Sequence, residues 1–222
     1  MREGIEGKAH ETGAAAREFE IHEPFSSLLS TTRNVLFSPH RFFDALPPDG
    51  PLGAPVFYFL ICSALSAVIN ALATLAFLAT PAGIALATGS LDRGLLAGAL
   101  AVFVLASLVA LPVLFVVGFF LAVLAQHAFI RLVAGRDQRG LAATLRVSCY
   151  SVGAPVAVTW IPLAGILAFF YCFYLHATGL RRVHGISSGR SLWAVLILAA
   201  LLLMLATALA VYDYGLIQQA MR

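Results

Sequence analysis

The feature that most constrains this chain is a run of about 37 residues, from Gly94 to Ile130, without any Asp, Glu, Lys or Arg. A second uncharged run extends from Val56 to Ala79. A helix needs about 20 apolar residues to cross the hydrocarbon core of a bilayer, so both runs are long enough to span it. The whole chain is 60% hydrophobic and 11% charged, outside the usual range of soluble domains. These features indicate an integral membrane protein, and we expect an all-α, polytopic helix bundle.

Arginine placement predicts how the chain is oriented in the membrane. Basic residues in short loops stay on the cytoplasmic side, so both arginine clusters that follow the first spans are expected inside. The first cluster is Arg131, Arg136, Arg139 and Arg146, and the second is Arg181, Arg182 and Arg190. With the N-terminus also inside, the run 94–130 must cross an odd number of times. One long helix, tilted and kinked at Pro112, is the simplest solution.

The same reasoning applies to the segment from Leu141 to Leu180, because both of its ends are expected on the cytoplasmic side. It must cross twice or dip into the membrane as a re-entrant hairpin, with its turn around Gly153, Pro155, Trp160 and Pro162. A last span from Ser191 to Val211 then ends at Tyr212–Tyr214. The prediction is five transmembrane helices, with the N-terminus in the cytoplasm and the C-terminus outside.

Three parts of the chain are expected. Residues 1–36 form a cytoplasmic tail and an amphipathic segment, 37–214 form the five-span domain, and 215–222 form a short C-terminal tail. Leu28 and Leu29 recur at helical spacing after Phe25, and a second short helix has Ser38 as N-cap and Pro39 at its first position. These two helices are expected at the membrane interface.

Three aromatic residues are candidate interfacial anchors: Phe42, Phe43 and Trp160. Packing of the two phenylalanines on the transmembrane bundle is an equally good interpretation. Arginine greatly outnumbers lysine, and alanine and leucine are abundant, which favours a GC-rich bacterial genome and hence a bacterial inner membrane. No secretory signal pattern is present at the start of the chain.

Catalytic and cofactor-binding patterns are weak. Gly185, Ser187 and Gly189 spell a hydrolase nucleophile motif. That fold requires a histidine later in the chain than the serine, and no histidine follows Ser187. An intramembrane serine hydrolase would need Ser148 or Ser151 to meet His127 or His176. A transporter would show charges at mid-membrane or repeated halves. The three cysteines have no metal-ligand or redox spacing, so no metal, cofactor or disulfide is expected.

Polar residues within the spans are the remaining candidates for special roles. They are Asn70, Gln126 and His127. An ionisable or amide side chain in lipid usually has a partner, and we expect either hydrogen bonding between helices or placement at the membrane interface for all three.

Several short motifs occur in a recognisable order. They are SPHRFF at 38–43, the Gly135 loop, YSVGAPVAVTWIPLAG at 150–165 and GLRRVHGISSGRSL at 179–192. Together, over roughly Phe37 to Ala210, they resemble the Yip domain of Rab/Ypt-interacting membrane proteins. The resemblance implies a five-span bundle with a cytoplasmic N-terminus, and links to Rab GTPases, membrane traffic and membrane shaping. The acidic Leu-Tyr-Gly-Pro motif of those members has no counterpart here, so GTPase binding is not expected.

The sequence therefore predicts a noncatalytic membrane protein that acts through its cytoplasmic face. The expected partners are the bilayer, through anionic phospholipid headgroups, or another membrane protein, and no nucleic acid. The candidate contact residues are Arg136, Arg139, Arg181, Arg182 and Arg190. The expected role is membrane organisation or a trafficking-like task, with a small transporter or channel as the alternative.

Overall fold

The computed structural model describes residues 18–80, 106–134 and 139–220, and within these ranges the chain is helical with connecting turns and no strands. Its helices are α1 (Pro24–Phe37), α2 (Pro39–Ala45), α3 (Gly53–Leu78), α4 (Leu111–Ala134), α5 (Leu141–Val156), α6 (Pro162–His184) and α7 (Ser188–Ala220). The expected all-α class is confirmed.

Three stretches of these helices are long and apolar enough to cross a membrane. They are Gly53–Ala76, Leu108–Leu132 and Leu163–His184. The first part of α7, Ser188–Leu201, is a shorter apolar stretch. The chain is thus a multi-pass membrane protein by length and composition, and the count of five crossings goes beyond this finding.

Helix α5 occupies the centre of the bundle. Every residue from Ala143 to Pro155 is buried except Leu145. It lies between α3 and α6, and α4 and α1 also contact it. A helix buried on all sides cannot hide its polar side chains from its neighbours, so each of them must find a partner within the bundle.

Helices α5 and α6 form the expected hairpin. The chain leaves α5 at Val156, turns through 157–161, and re-enters a helix at Pro162, which stands at the first helical position. At the open end of the hairpin, the Thr144 hydroxyl lies 3.1 Å from His184 Nε2. The start of α5 and the end of α6 are therefore at the same end of the bundle, as the sequence predicted for this segment.

The closed end of the hairpin stops partway along α3. Thr159 Oγ1 lies 3.0 Å from Ser66 Oγ, and Ser66 is near the middle of α3. At 1.5 Å per residue, the remaining part of α3, from Ser66 to Leu78, extends about 18 Å beyond this contact. Helix α5 has 16 residues, fewer than an ordinary span needs.

Two further elements refine the predictions. A π-helical turn, Ala106–Ala110, directly precedes α4, so the irregularity expected at Pro112 lies just before that proline. Residues 94–105 of the predicted long helix lie outside the described residues. Helix α7 continues through Tyr212–Tyr214 to Ala220. The outer membrane boundary predicted at Tyr212–Tyr214 therefore does not coincide with the end of the helix.

Helix α6 approaches α2 and α5 closely at Gly179. A Cβ atom at this position would lie 2.6 Å from Val147 Cγ1 and 2.9 Å from Phe43 Cε1, both closer than real Cβ contacts. Helix α2 packs along α6 in this region. The missing side chain of Gly179 is therefore what allows three helices to meet here.

Replacing Gly179 with alanine is expected to lower thermal stability in detergent. Overpacking costs about 1–3 kcal/mol, and the helix propensity gained from losing a glycine offsets at most about 1 kcal/mol. The control is Gly189→Ala, because a Cβ there meets no atom within 4 Å. That variant should be as stable as the wild type or more so. Equal midpoints for Gly179→Ala and the wild type would contradict the packing argument.

Candidate interaction face and buried polar core

Four helix ends meet at the end of the bundle that carries the predicted arginine clusters. Thr144 of α5 hydrogen-bonds both His127 Nδ1 of α4, at 2.8 Å, and His184 of α6, at 3.1 Å. This joins the last turns of α4 and α6 to the first turn of α5, and α7 begins four residues after α6 ends. We call this the arginine end.

The predicted contact arginines are exposed at the arginine end wherever the structure describes them. Arg139, Arg181 and Arg190 are exposed, and so is Arg131 at the end of α4. Arg136 lies outside the described residues. Their guanidinium groups therefore face outward from the bundle, as a contact surface for anions requires.

Arg182 is exposed too, but it has a partner. Its guanidinium donates a hydrogen bond to the carboxylate of Asp44, directly after the buried part of α2. This bond from Arg182 lowers the pKa of the Asp44 carboxyl below its usual value. Because both side chains are solvent-accessible, the pair holds α2 beside α6 but contributes little to stability.

Arg146 corrects the sequence prediction, because it does not belong to the exposed cluster. It is 0% exposed, in the second turn of α5. Its Nη2 donates to both carboxylate oxygens of Glu18, at 2.6 and 2.7 Å, and its Nη1 donates to the Pro51 carbonyl at 2.6 Å. The Tyr150 hydroxyl donates to Glu18 as well, at 2.9 Å. Arg146 therefore ties the segment before α1 to the core.

Phe42 and Phe43 were predicted as interfacial anchors, and their burial corrects that prediction. Each is 1% exposed. Phe42 meets the Tyr150 ring at 5.0 Å between centroids, and Phe43 packs at Gly179. The alternative interpretation, packing on the bundle, is the one that the structure supports. Trp160 is exposed at the closed end of the hairpin, where its Nε1 donates to the Ala157 carbonyl, so its anchor role stays a prediction.

Gln126 and His127 lie in a buried polar network, as expected for polar residues in a span. Gln126 Nε2 lies 2.9 Å from the Ala194 carbonyl of α7 and 2.9 Å from His176 Nε2 of α6. His176 Nδ1 lies 2.6 Å from Ser151 Oγ of α5. Four helices are thus joined through one glutamine, one histidine and one serine.

One assignment of protons pairs every donor in this network. If the Gln126 amide donates to Ala194 and to His176 Nε2, then His176 carries its proton on Nδ1 and donates it to Ser151 Oγ. Ser151 in turn donates to the Ser148 carbonyl at 3.4 Å. In this arrangement His176 gives a proton to the serine oxygen, the reverse of what a general base does to a nucleophile.

Asn70 behaves differently from the prediction. Its side-chain nitrogen donates within its own helix, to the Ser66 carbonyl at 2.8 Å and Ser66 Oγ at 3.2 Å. Ser66, which sequence reasoning did not single out, makes the contact to Thr159 on the hairpin. Asn70 therefore supports the contact between α3 and the hairpin indirectly, by bonding to Ser66.

The comparison with known families now bears on this architecture. The sequence model of the Yip1 domain matches residues 33–210. The chain belongs to the Yip1 domain family. No curated protein and no solved structure matches the chain. The Yip1 domain thus covers the helices from α1 through most of α7, which confirms the family resemblance read from the sequence motifs.

The match begins at Arg33, partway along α1, so Glu18 and the first turns of α1 precede the Yip1 domain. Helix α1 has a buried side and an exposed side. The buried face carries Ser27, Thr31 and Val35. The opposite side exposes Phe25 at 88%, Leu29 at 75% and Phe37 at 79%, with Arg33 among them. We call these four residues the outward face of α1.

Hydrogen bonds account for that orientation. Thr32 Oγ1 lies 2.8 Å from the Tyr58 hydroxyl of α3, and the Tyr171 hydroxyl of α6 donates to the Leu36 carbonyl at 2.7 Å. The Ser27 hydroxyl accepts from the Glu20 backbone N–H at 2.6 Å. Thr32 and the Leu36 carbonyl thus have partners on the bundle, and Ser27 has one in the segment before α1. Leu29, Arg33 and Phe37 line a shallow concavity on the other side.

The residues that sequence reasoning missed share a pattern. They are Glu18, Tyr150, Thr144, His184 and Ser66, and each takes part in a polar contact between distant parts of the chain. Arg146, the partner of Glu18, was assigned to the wrong surface instead of being missed. An arginine and a histidine in otherwise apolar helices were visible in the sequence, and an intramembrane ionisable group is a signal by default. Their partners are set by helix neighbours, which the sequence does not display.

Proposed function

We propose that this Yip1 domain protein is a noncatalytic membrane protein whose arginine end and outward α1 face contact the anionic cytoplasmic leaflet. The observation that carries the proposal is the outward face of α1. An amphipathic helix that turns phenylalanine and leucine away from its own bundle leaves a large apolar surface uncovered. In a membrane protein, the acyl–headgroup boundary is the nearest apolar medium that covers such a surface.

The charge pattern supports the same partner. Arg33 lies on the outward face of α1, and Arg131, Arg139, Arg181 and Arg190 are exposed at the arginine end. Each arginine near an anionic leaflet contributes about 1 kcal/mol of attraction. The role that follows is membrane organisation through lipid contact, and a second membrane protein at the same surface is the competing outcome.

The absence of catalysis is part of the proposal. Ser151 and His176 are at hydrogen-bond distance, which is the observation that would favour an intramembrane serine hydrolase. Both side chains are buried, and the other nitrogen of His176 faces a neutral glutamine instead of an acid. The arrangement is better suited to joining helices than to activating a nucleophile.

We further propose that the N-terminus is cytoplasmic, in a bacterial inner membrane, with α3, α4 and α7 crossing it. The prediction left two choices for α5 and α6. The 16 residues of α5 favour a re-entrant hairpin over two crossings, although the Leu163–His184 stretch of α6 is long enough to cross. If Ala76 lies near the outer boundary, a hairpin that stops beside Ser66 ends about 15 Å short of it. This choice replaces five crossings by three crossings and one hairpin.

Cysteine labelling tests the hairpin. Trp160→Cys, in a chain whose native cysteines Cys62, Cys149 and Cys172 are replaced by alanine, should react with a membrane-impermeant maleimide from neither side of sealed vesicles. Gly140→Cys is the control, because a side chain there meets no atom within 4 Å. It should react from the cytoplasmic side only. Labelling of the Trp160→Cys variant from outside would restore the five-crossing topology.

Tryptophan quenching tests the outward face of α1. With Trp160 and Trp193 replaced by phenylalanine, Leu29→Trp should be quenched strongly by lipids brominated on their acyl chains. Gly140→Trp is the control, because this position is exposed away from α1 and a Cβ there meets no atom within 4 Å, and it should be quenched less. Equal, weak quenching at both positions would mean that α1 does not enter the membrane. If Leu29→Trp is quenched only after the protein is diluted in lipid, another protein molecule covers the outward face of α1 before dilution, which would indicate a protein partner.

Bound lipid tests the arginine end. Replacement of Arg139, Arg181 and Arg190 by glutamine should reduce co-purified anionic phospholipid, measured by mass spectrometry. The attraction lost is about 3 kcal/mol at most, because salt screens exposed charges. The control is Arg182→Gln with Asp44→Asn, which removes an arginine without changing net charge and should keep its lipid. Unchanged lipid in the triple variant would leave a protein partner as the surviving interpretation.

A further inference from the structure

The contact of Arg146 with Glu18 has the composition of a recognition site. The site offers the Arg146 guanidinium and the Tyr150 hydroxyl to a carboxylate. It lies against Gly50, where a Cβ atom would stand 2.6 Å from Arg146 Nη1. The backbone at Gly50 therefore shapes the wall behind the guanidinium.

The residue next to Glu18 fills an adjoining aromatic pocket. Phe19 is buried, and its ring centroid lies 5.6 Å from that of Tyr58 and 6.2 Å from that of Phe57. Acid and aromatic groups thus enter the bundle side by side, from two consecutive residues. We call the combined surface of Arg146, Tyr150, Tyr58 and Phe57 the Arg146 groove.

Two observations indicate that Glu18 does not use the groove fully. The Nε of Arg146 is buried and makes no hydrogen bond within the described part of the chain. The Glu18 side chain is 27% exposed, so the acidic residue is only partly enclosed by the groove. A donor left unpaired beside a partly enclosed acidic residue is what a site shows when its occupant is not its best ligand.

Among the described residues, the segment 18–22 makes few hydrogen bonds outside the Arg146 groove. Beyond the groove, the Glu20 N–H donates to Ser27 Oγ on α1, and the turn Ile21–Glu23 is exposed. The segment can therefore leave as a unit without unwinding α1. A buried arginine without a counter-charge is strongly unfavourable, so departure of Glu18 must be coupled to the arrival of another anionic group.

We propose that the Arg146 groove is a binding site for an acidic–aromatic segment of a partner protein, occupied in cis by Glu18–Phe19. The aromatic pocket favours a peptide over a lipid phosphate, because a headgroup would leave the Phe19 position empty. The cis segment acts as a competitor at millimolar effective concentration, so a partner segment binds appreciably only when the cis segment is displaced. This proposal does not rest on the lipid contact proposed above, which uses other residues.

The experiment opens the groove after the protein has folded. A protease recognition sequence is inserted between His22 and Glu23, both exposed, and the purified full-length chain is cut in detergent. A fluorescent peptide of residues 18–23, EFEIHE, is then titrated and its polarisation measured. The cut protein should bind the peptide at least about tenfold more tightly than the uncut protein, and the cut segment should be released in exchange.

Peptide variants establish which groups are recognised. A Glu18→Gln peptide and a Phe19→Ala peptide should each bind about tenfold more weakly or worse, because each loses one of the two contacts. Arg146→Met in the cut protein should remove the preference for glutamate over glutamine. The intact double variant Glu18→Gln/Phe19→Ala weakens both cis contacts without cleavage while keeping a hydrogen-bond acceptor for Arg146, and it should bind the EFEIHE peptide more tightly than the uncut wild type.

Two results would overturn the proposal. In the first, the cut protein stays folded and excess peptide does not displace its own segment. The contact would then be a permanent structural one. The other is peptide binding that is equal for EFEIHE and both variant peptides. Neither result bears on bound lipid at the arginine end, so failure here and failure of the lipid proposal are distinguishable.

Discussion

The structure depends on one helix being buried on all sides while carrying polar side chains. Helix α5 contains Thr144, Arg146, Ser148 and Ser151, and none of them reaches solvent. In a bundle whose exterior is lipid, an unpaired polar group costs several kcal/mol, so each must be satisfied from a neighbouring helix or from its own backbone. Thr144 and Ser151 meet histidines on α4 and α6, and Ser148 donates to the Thr144 carbonyl. These partners determine which helices lie next to α5.

The same requirement explains how the segment before the Yip1 domain is attached. Arg146 needs a carboxylate, and the one it finds is Glu18, far away in the sequence. Ser27 then bonds to the segment that carries Glu18, and Thr32 bonds to Tyr58 of α3, so that this side of α1 lies against the bundle. As a consequence, Phe25, Leu29 and Phe37 face away from it. The apolar surface from which we infer lipid contact is thus a by-product of satisfying buried polar groups.

Charge separates the two surfaces that the proposals use. The exposed arginines stand at the helix ends, where we propose that the screened attraction of an anionic leaflet acts on them. Arg146 stands inside, where it is not screened and must be paired one to one. The two proposals thus assign a broad, weakly selective membrane surface to the first group and a narrow, selective groove to Arg146. The two can act on the same membrane without sharing a residue.

The sequence by itself determined the features that depend on composition and local chemistry. The membrane class, the hairpin turn between Pro155 and Pro162 and the helix start at Pro39 all follow from residues near one another in the chain. The family, too, follows from motif order. These features need no knowledge of which helices are neighbours.

Only the tertiary structure decided where the apolar and charged side chains point. Phe42 and Phe43 lie inside the bundle and Phe25 outside it, although both patterns read as amphipathic helices. Arg146 is buried while Arg139, seven residues earlier, is exposed. The physical reason is that lipid tails and a protein core are equally apolar, so hydrophobic periodicity cannot distinguish them. The choice rests on polar pairs between distant residues, and those pairs exist only once the helices have packed.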